Sequence, residues 1–210
     1  MSCGRQLKWY ELIPVFSFLI QGGKCRSCKI KLSVQYPIIE LLNGLLYVLV
    51  FYIVGFNAQA VLYCLLASVL IVISVIDFRT YEIPIGCNIF ILVLGIAQVF
   101  IDLPHTHKYV IGFFAISLVL FLVWLISKGR AIGGGDIKLL AAAGLLLGWQ
   151  NIILAFLLGC VIGAIIHLIR MKVQNADRTL AFGPYLSAGI FIAALFGDTL
   201  IRMYLGYLGF

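Results

Sequence analysis

Two of the eight acidic residues stand where an acid is awkward. Asp77 ends the apolar run Val69–Ile76, and Asp136 closes Ile132-Gly133-Gly134-Gly135-Asp136 just before another apolar stretch. Ionisable groups at the edge of a membrane segment are costly, which makes them functional-site candidates by default. Two carboxylates sharing one site cannot both ionise cheaply, so the pair holds a single proton. The ionised partner can then deprotonate a water that attacks a peptide carbonyl. The protonated partner hydrogen-bonds the carbonyl oxygen, and a proton later passes to the leaving amine. That is peptide hydrolysis without a metal. Which aspartate is acid and which is base stays open.

Gly133, Gly134 and Gly135 suit the same chemistry. Glycines can adopt positive φ and let another backbone come close, so an extended substrate could pair its main chain beside Asp136. Pro84, shortly after Asp77, sets the start of the next helix. Simpler roles stand beside these. Asp77 could be a helix-end residue snorkelling beside Arg79, and Asp136 an N-cap after Gly-Gly-Gly. Taken together with the triple glycine, the catalytic reading is the better one.

The elements that must position the pair follow from composition. Of 210 residues 63% are hydrophobic and only 11% charged, against about 25% charged in soluble domains, so the main solvent is lipid. A membrane-crossing helix needs about 20 apolar residues. Seven segments approach that: Ile38–Val54, Gln59–Ile76, Pro84–Ile101, Tyr109–Ser127, Ile137–Gly148, Asn151–Ile169 and Pro184–Ile201. The fifth is short, and either begins in the interface or completes its span through Gly133–Gly135. The expected fold is all-α, a polytopic helical bundle of about seven spans over residues 37–210. A small Cys-containing cytoplasmic region, residues 1–36, precedes it. No cleavable signal peptide is visible after Met1.

Orientation follows from the basic residues, which concentrate in cytoplasmic loops. With seven spans, of the 15 Lys and Arg only Lys108 and Arg202 fall on the side opposite the N-terminus. The N-terminus is therefore expected in the cytoplasm, with Asp77 and Asp136 at the same face. The basic excess is a topology signal and calls for no nucleic acid.

Other chemistry-bearing residues carry less. Cys25-x-x-Cys28 is a metal-type knuckle with Cys3 upstream, and four thiolates would make a structural zinc site. A reduced, metal-free loop is the other reading of these cysteines. Cys64, Cys87 and Cys160 lie in apolar segments as small hydrophobes. His105-x-His107 sits in an outer loop, His167 suits a structural role, and Asp198 lies at the opposite end of the last span. Trp9, Trp124 and Trp149 fit interfacial aromatic belts.

At this point the residues resemble a known family. Cys3-Gly4-Arg5-Gln6-Leu7-Lys8-Trp9-Tyr10-Glu11-Leu12-Ile13-Pro14 and Gly23-Lys24-Cys25-Arg26-Ser27-Cys28, then Tyr36-Pro37 and Glu40, look like the bacterial type IV prepilin peptidases. So do Asp77 with Ile83-Pro84, Gly133-Gly134-Gly135-Asp136-Ile137-Lys138-Leu139-Leu140, and Phe182-Gly183-Pro184. The ordered set runs through nearly the whole chain.

The resemblance implies a GxGD-type intramembrane aspartyl protease of the bacterial inner membrane, with Asp77 and Asp136 catalytic. It would cut the basic leader from prepilins and pseudopilins after a glycine, at the cytoplasmic face. It also implies methylation of the new N-terminus from S-adenosylmethionine, with Gly23 and Lys24 in the methyl-transfer region. Zinc at Cys3, Cys25 and Cys28 would lack the family's fourth thiolate, which precedes the position of Cys3. The family's first membrane helix is not in this sequence either, so the chain looks like a member lacking its N-terminus. Competing readings are a transporter or channel using the two aspartates in an ion path, and a pilus or secretion assembly scaffold binding partners through its Cys patch.

Overall fold

The protein is described by a computed structural model covering Gln6, residues 15–174 and residues 180–207. Cys3, Arg5, Lys8, Trp9 and Arg178 lie outside the described residues. The chain divides into two compact units, Met1–Leu49 and Val50–Phe210. Among the described residues there is helix and one isolated bridge, and no β-strand.

In the first unit, helix α1 (Phe16–Ile20) leads into a tight knuckle. Lys24 and Lys31 form an antiparallel bridge, the Cys25 N–H donates to the Ile30 carbonyl at 2.9 Å, and the Lys29 N–H donates to the Cys25 carbonyl at 3.0 Å. Lys29 takes a left-handed turn at φ 58° to close it. Helix α2 (Gln35–Val54) follows, and the N–H of Val15 donates to the carboxylate of Glu40 on it at 2.9 Å.

The second unit is a bundle whose helices run α3 (Ala58–Thr80), α4 (Ile85–Ile101), α5 (Thr106–Ala115), α6 (Ser117–Ile126), α7 (Gly134–Leu147), α8 (Trp149–Gln174) and α9 (Gly183–Tyr207). Local signals set the ends. Asn57 caps α3 by accepting from the Ala60 N–H at 2.8 Å. Tyr81, left-handed at φ 56°, ends it, and α4 starts directly after Pro84. Among the described residues five helices are long and apolar enough to cross a membrane, taking Leu103–Ile126 as one span; Ile85–Ile101 is a shorter apolar helix. The protein is a polytopic helical membrane bundle.

Two spans depart from the expected simple helices. The fourth breaks at Ile116 into α5 and α6, where the Ser117 hydroxyl donates to the Phe113 carbonyl. Such back-bonding competes with the helical ladder and bends a helix. The fifth span is only 14 residues long, and it begins inside the triple glycine at Gly134.

The side-chain distribution explains why lipid is the outer solvent. Leu66, Ile73, Leu139, Leu140, Leu146, Ile152, Leu186 and Ile190 fill the centre, whereas Val61, Val72, Leu118, Leu122 and Leu157 point outward. Lipid tails are as apolar as leucine, so helices here associate through close packing at small residues. At the α5–α7 crossing the backbones of Gly112 and Gly144 touch, and a Cβ on either would meet the other's carbonyl oxygen. Gly189 of α9 lies likewise against the Ala155 carbonyl of α8.

Gly144→Val should therefore overpack the α5–α7 crossing by about 1–3 kcal/mol. The melting midpoint of the detergent-solubilised protein should fall by roughly 2–4 °C per kcal/mol. An unchanged midpoint would show that the crossing is looser than described.

Candidate active site

Alternation of the helices brings the C-terminal end of α3 and the N-terminal ends of α7 and α9 to one end of the bundle. Asp77 lies on the last turn of α3 and is buried, 5% exposed. Its carboxylate does not snorkel to solvent. It accepts a hydrogen bond from the backbone N–H of Gly183 at 2.8 Å. Gly183 is the first residue of α9, where N–H groups have no partner within the helix and the helix dipole favours an anion. The aspartate thus occupies a ready-made anion position.

Only glycine fits at residue 183. A Cβ there would lie 2.8 Å from Asp77 Oδ2 and 2.9 Å from its Cγ. The contact joins residues 106 apart in sequence. The motif Phe182-Gly183-Pro184 by itself assigns Gly183 no role. The available signal was a glycine followed by proline at the start of an apolar span, which marks a helix N-terminus open to close approach.

Asp136 stands in the first turn of α7, half-buried, and within reach of the Asp77 charge. It is not the N-cap: Gly133 is, with φ −69°, and its N–H faces the Asp136 carboxylate. The triple glycine does not use positive φ. Close approach is what it provides. A Cβ on Gly133 would lie 3.0 Å from Asp136 Oδ2, and one on Gly135 would lie 3.0 Å from Ile83 Cβ, so α7 starts hard against the segment leading to Pro84. Gly134 faces open space. The two aspartates, two helix N-termini and an open glycine therefore converge.

Among the described residues no group of three or more His, Cys, Asp or Glu could hold a metal. Cys25 and Cys28 are half-buried on the knuckle of the first unit, which fits two ligands of a tetrahedral site; Cys3 lies outside the described residues. Gly23 has φ 66°, its carbonyl accepts from the Leu32 N–H at 2.8 Å, and Lys24 beside it is exposed. His105 caps an outer-loop cluster: its Nδ1 lies 2.8 Å from Asp102 Oδ1, and the Tyr109 hydroxyl donates to Asp102 Oδ2 at 2.8 Å. The His105 hydrogen bond, with that of Tyr109, holds the Asp102 carboxyl below the usual range. Asp198 accepts from Asn151 Nδ2 at 3.1 Å, at the end of α9 away from Gly183.

Fold and site together define a polytopic membrane protein with two carboxylates gathered at one end of its bundle. Residues 64–168 match the model of the Type IV leader peptidase family, and residues 1–54 match that of the bacterial peptidase A24 N-terminal domain. The chain is 36% identical over 215 residues to a prepilin leader peptidase/N-methyltransferase of Pseudomonas aeruginosa, covering 99% of this chain and 74% of that protein. It is 34% identical over 206 residues to one of Bacillus subtilis, covering 97% and 83%. For one of Legionella pneumophila the figures are 31% over 212 residues, 98% and 74%. No solved structure matches the chain. The chain belongs to the Type IV leader peptidase family, and its activity is that of a peptidase.

Gly183→Ala should displace the Asp77 carboxylate without touching either aspartate's identity. A misplacement of about 1 Å near reacting groups costs on the order of 100-fold in rate, and that loss is expected for substrate cleavage. Cleavage at the normal rate by the alanine variant would show that the Gly183 contact does not position Asp77.

Proposed function

We propose that the chain is a membrane-embedded aspartyl endopeptidase whose catalytic pair is Asp77 and Asp136. Its substrates are prepilin-like proteins, pilins or pseudopilins, cut after a glycine that ends a basic leader at the cytoplasmic face of the bacterial inner membrane. The observation that carries the reading is the convergence of two carboxylates at helix ends, with the Gly183 N–H already bonded to one of them. The relatives' names, prepilin leader peptidase/N-methyltransferase, support the substrate class.

In this mechanism the two carboxylates hold one proton between them. The ionised member takes a proton from water, whose oxygen attacks the scissile carbonyl carbon. The protonated member donates to the carbonyl oxygen, and on collapse a proton passes to the departing amine. Gly134, with no atom near its Cα hydrogen face, leaves room for a substrate backbone beside Asp136. The basic loops support a cytoplasmic N-terminus and a cytoplasmic catalytic end, where the leader's positive charge would remain solvated.

Methylation of the new N-terminus belongs to the same proposal. S-adenosylmethionine supplies the methyl group, and the exposed Lys24 ammonium beside Gly23 fits the carboxylate of that donor. A zinc ion held by Cys3, Cys25 and Cys28 would brace the knuckle on which Cys25 and Cys28 stand.

Co-expression with a prepilin, followed by mass measurement of its N-terminus, tests the reading. The wild-type chain should remove a leader-sized mass, and a further methyl-sized gain would report transfer. Asp77→Asn and Asp136→Asn should each abolish the loss while the protein stays inserted and abundant. Full cleavage by either variant would sink the aspartyl mechanism.

A further inference from the structure

Asn88 lies on the first turn of α4 and is 4% exposed, yet among the described residues neither its amide nitrogen nor its amide oxygen has a hydrogen-bond partner. An unpartnered polar group in such a place costs about 1–3 kcal/mol, so its persistence needs an account. Beside it is a cavity of about 230 Å³ with apolar walls from Ile85, Ile89, Leu92 and Phe113. Lys138 is the charged group in that wall. The cavity's near end adjoins the catalytic end of the bundle. Ile85 lies two residues beyond Ile83, which packs against Gly135, and Lys138 lies two residues beyond Asp136. From Ile85 to Leu92 the cavity runs about 10 Å along α4, away from the aspartates and toward the middle of the span.

An orphan donor and an orphan acceptor on one amide are the complement of one peptide group. A lipid tail offers neither. A substrate helix that must unwind to present its scissile bond does, because its freed N–H and C=O groups have no water to turn to in the membrane. We propose that Asn88, whose amide is enclosed while the cavity is empty, is uncovered when an apolar side chain of the substrate enters the adjacent cavity, and then binds one peptide group of the same segment on the membrane side of the scissile bond. The inference rests on the proteolytic reading above and extends it. Recognition then divides between a solvated basic leader and an apolar stretch whose main chain is held at Asn88. Asn88 acts in binding and touches neither reacting carboxylate.

The test uses the full chain in phospholipid vesicles with a prepilin carrying photo-leucine at the first residues after the scissile glycine. Irradiation of the wild-type complex should label residues 85–92 or 138–142. Asn88→Leu removes the orphan amide, so its melting midpoint should hold or rise, whereas KM should rise about 10-fold with kcat little changed. A merely structural Asn88 would instead lower the midpoint and leave KM alone. Label going to lipid or to other helices, or a wild-type KM in Asn88→Leu, would overturn the inference. If the variant does not insert, the wild-type cross-link decides alone. Wild-type protein that leaves the prepilin intact would sink the proteolytic reading itself, and wild-type cleavage with either negative result above would sink only the role of Asn88.

Discussion

A buried carboxylate at the end of a membrane helix has to find a donor, and the hydrogen bond from Gly183 N–H to Asp77 sets much of what surrounds it. Burying an ion in a protein costs several kcal/mol even after relaxation. One charge-assisted hydrogen bond returns about 1.5–3 kcal/mol, and a helix N-terminus up to about 2 kcal/mol more in a partly buried geometry. The two together come close to the cost without plainly exceeding it. Asp77 is buried on the last turn of α3, where the start of α9 can supply both contributions. The same contact ties the end of α3 to the start of α9. It also forbids any side chain at residue 183, so one glycine fixes both a helix junction and the placement of the Asp77 carboxylate.

Asp136 shows the same physics from the other direction. It lies in the first turn of its own helix, with the Gly133 N–H turned toward it, so α7 supplies the favourable end of a dipole to its own carboxylate. The bundle thus aims two helix N-termini at two carboxyl groups. Gly135 brings α7 against Ile83, and Gly112, Gly144 and Gly189 let α5, α7, α8 and α9 approach at backbone distance. Small residues at the crossings are what allow a 14-residue helix to hold its place among longer ones.

Much of this was legible in the sequence because the signals are local and strong. Apolar length gave the spans within a few residues, and alternation of basic loops put Asp77 and Asp136 at one face. Four features were not legible. The break at Ile116, beside the Ser117 hydroxyl bond to the Phe113 carbonyl, is a feature that no apolar count registers. The triple glycine suggested positive φ, whereas its backbone is ordinary and its value is the missing Cβ at Gly133 and Gly135. The partnership of Asp77 with Gly183, and the orphan amide of Asn88, are tertiary facts: each depends on which helix packs beside which, and a single Asn in an apolar run reads as nothing more than a polar interruption.

The claim on which the account turns is that Asp77 and Asp136 face one another across a single site. In a cysteine-free background, Asp77→Cys combined with Asp136→Cys can be treated in membranes with a thiol reagent that bridges only short gaps. The account predicts an internal bridge, seen as one added reagent mass and no free thiol, with formation slowed by excess prepilin. Two independently labelled cysteines with no bridge would contradict it.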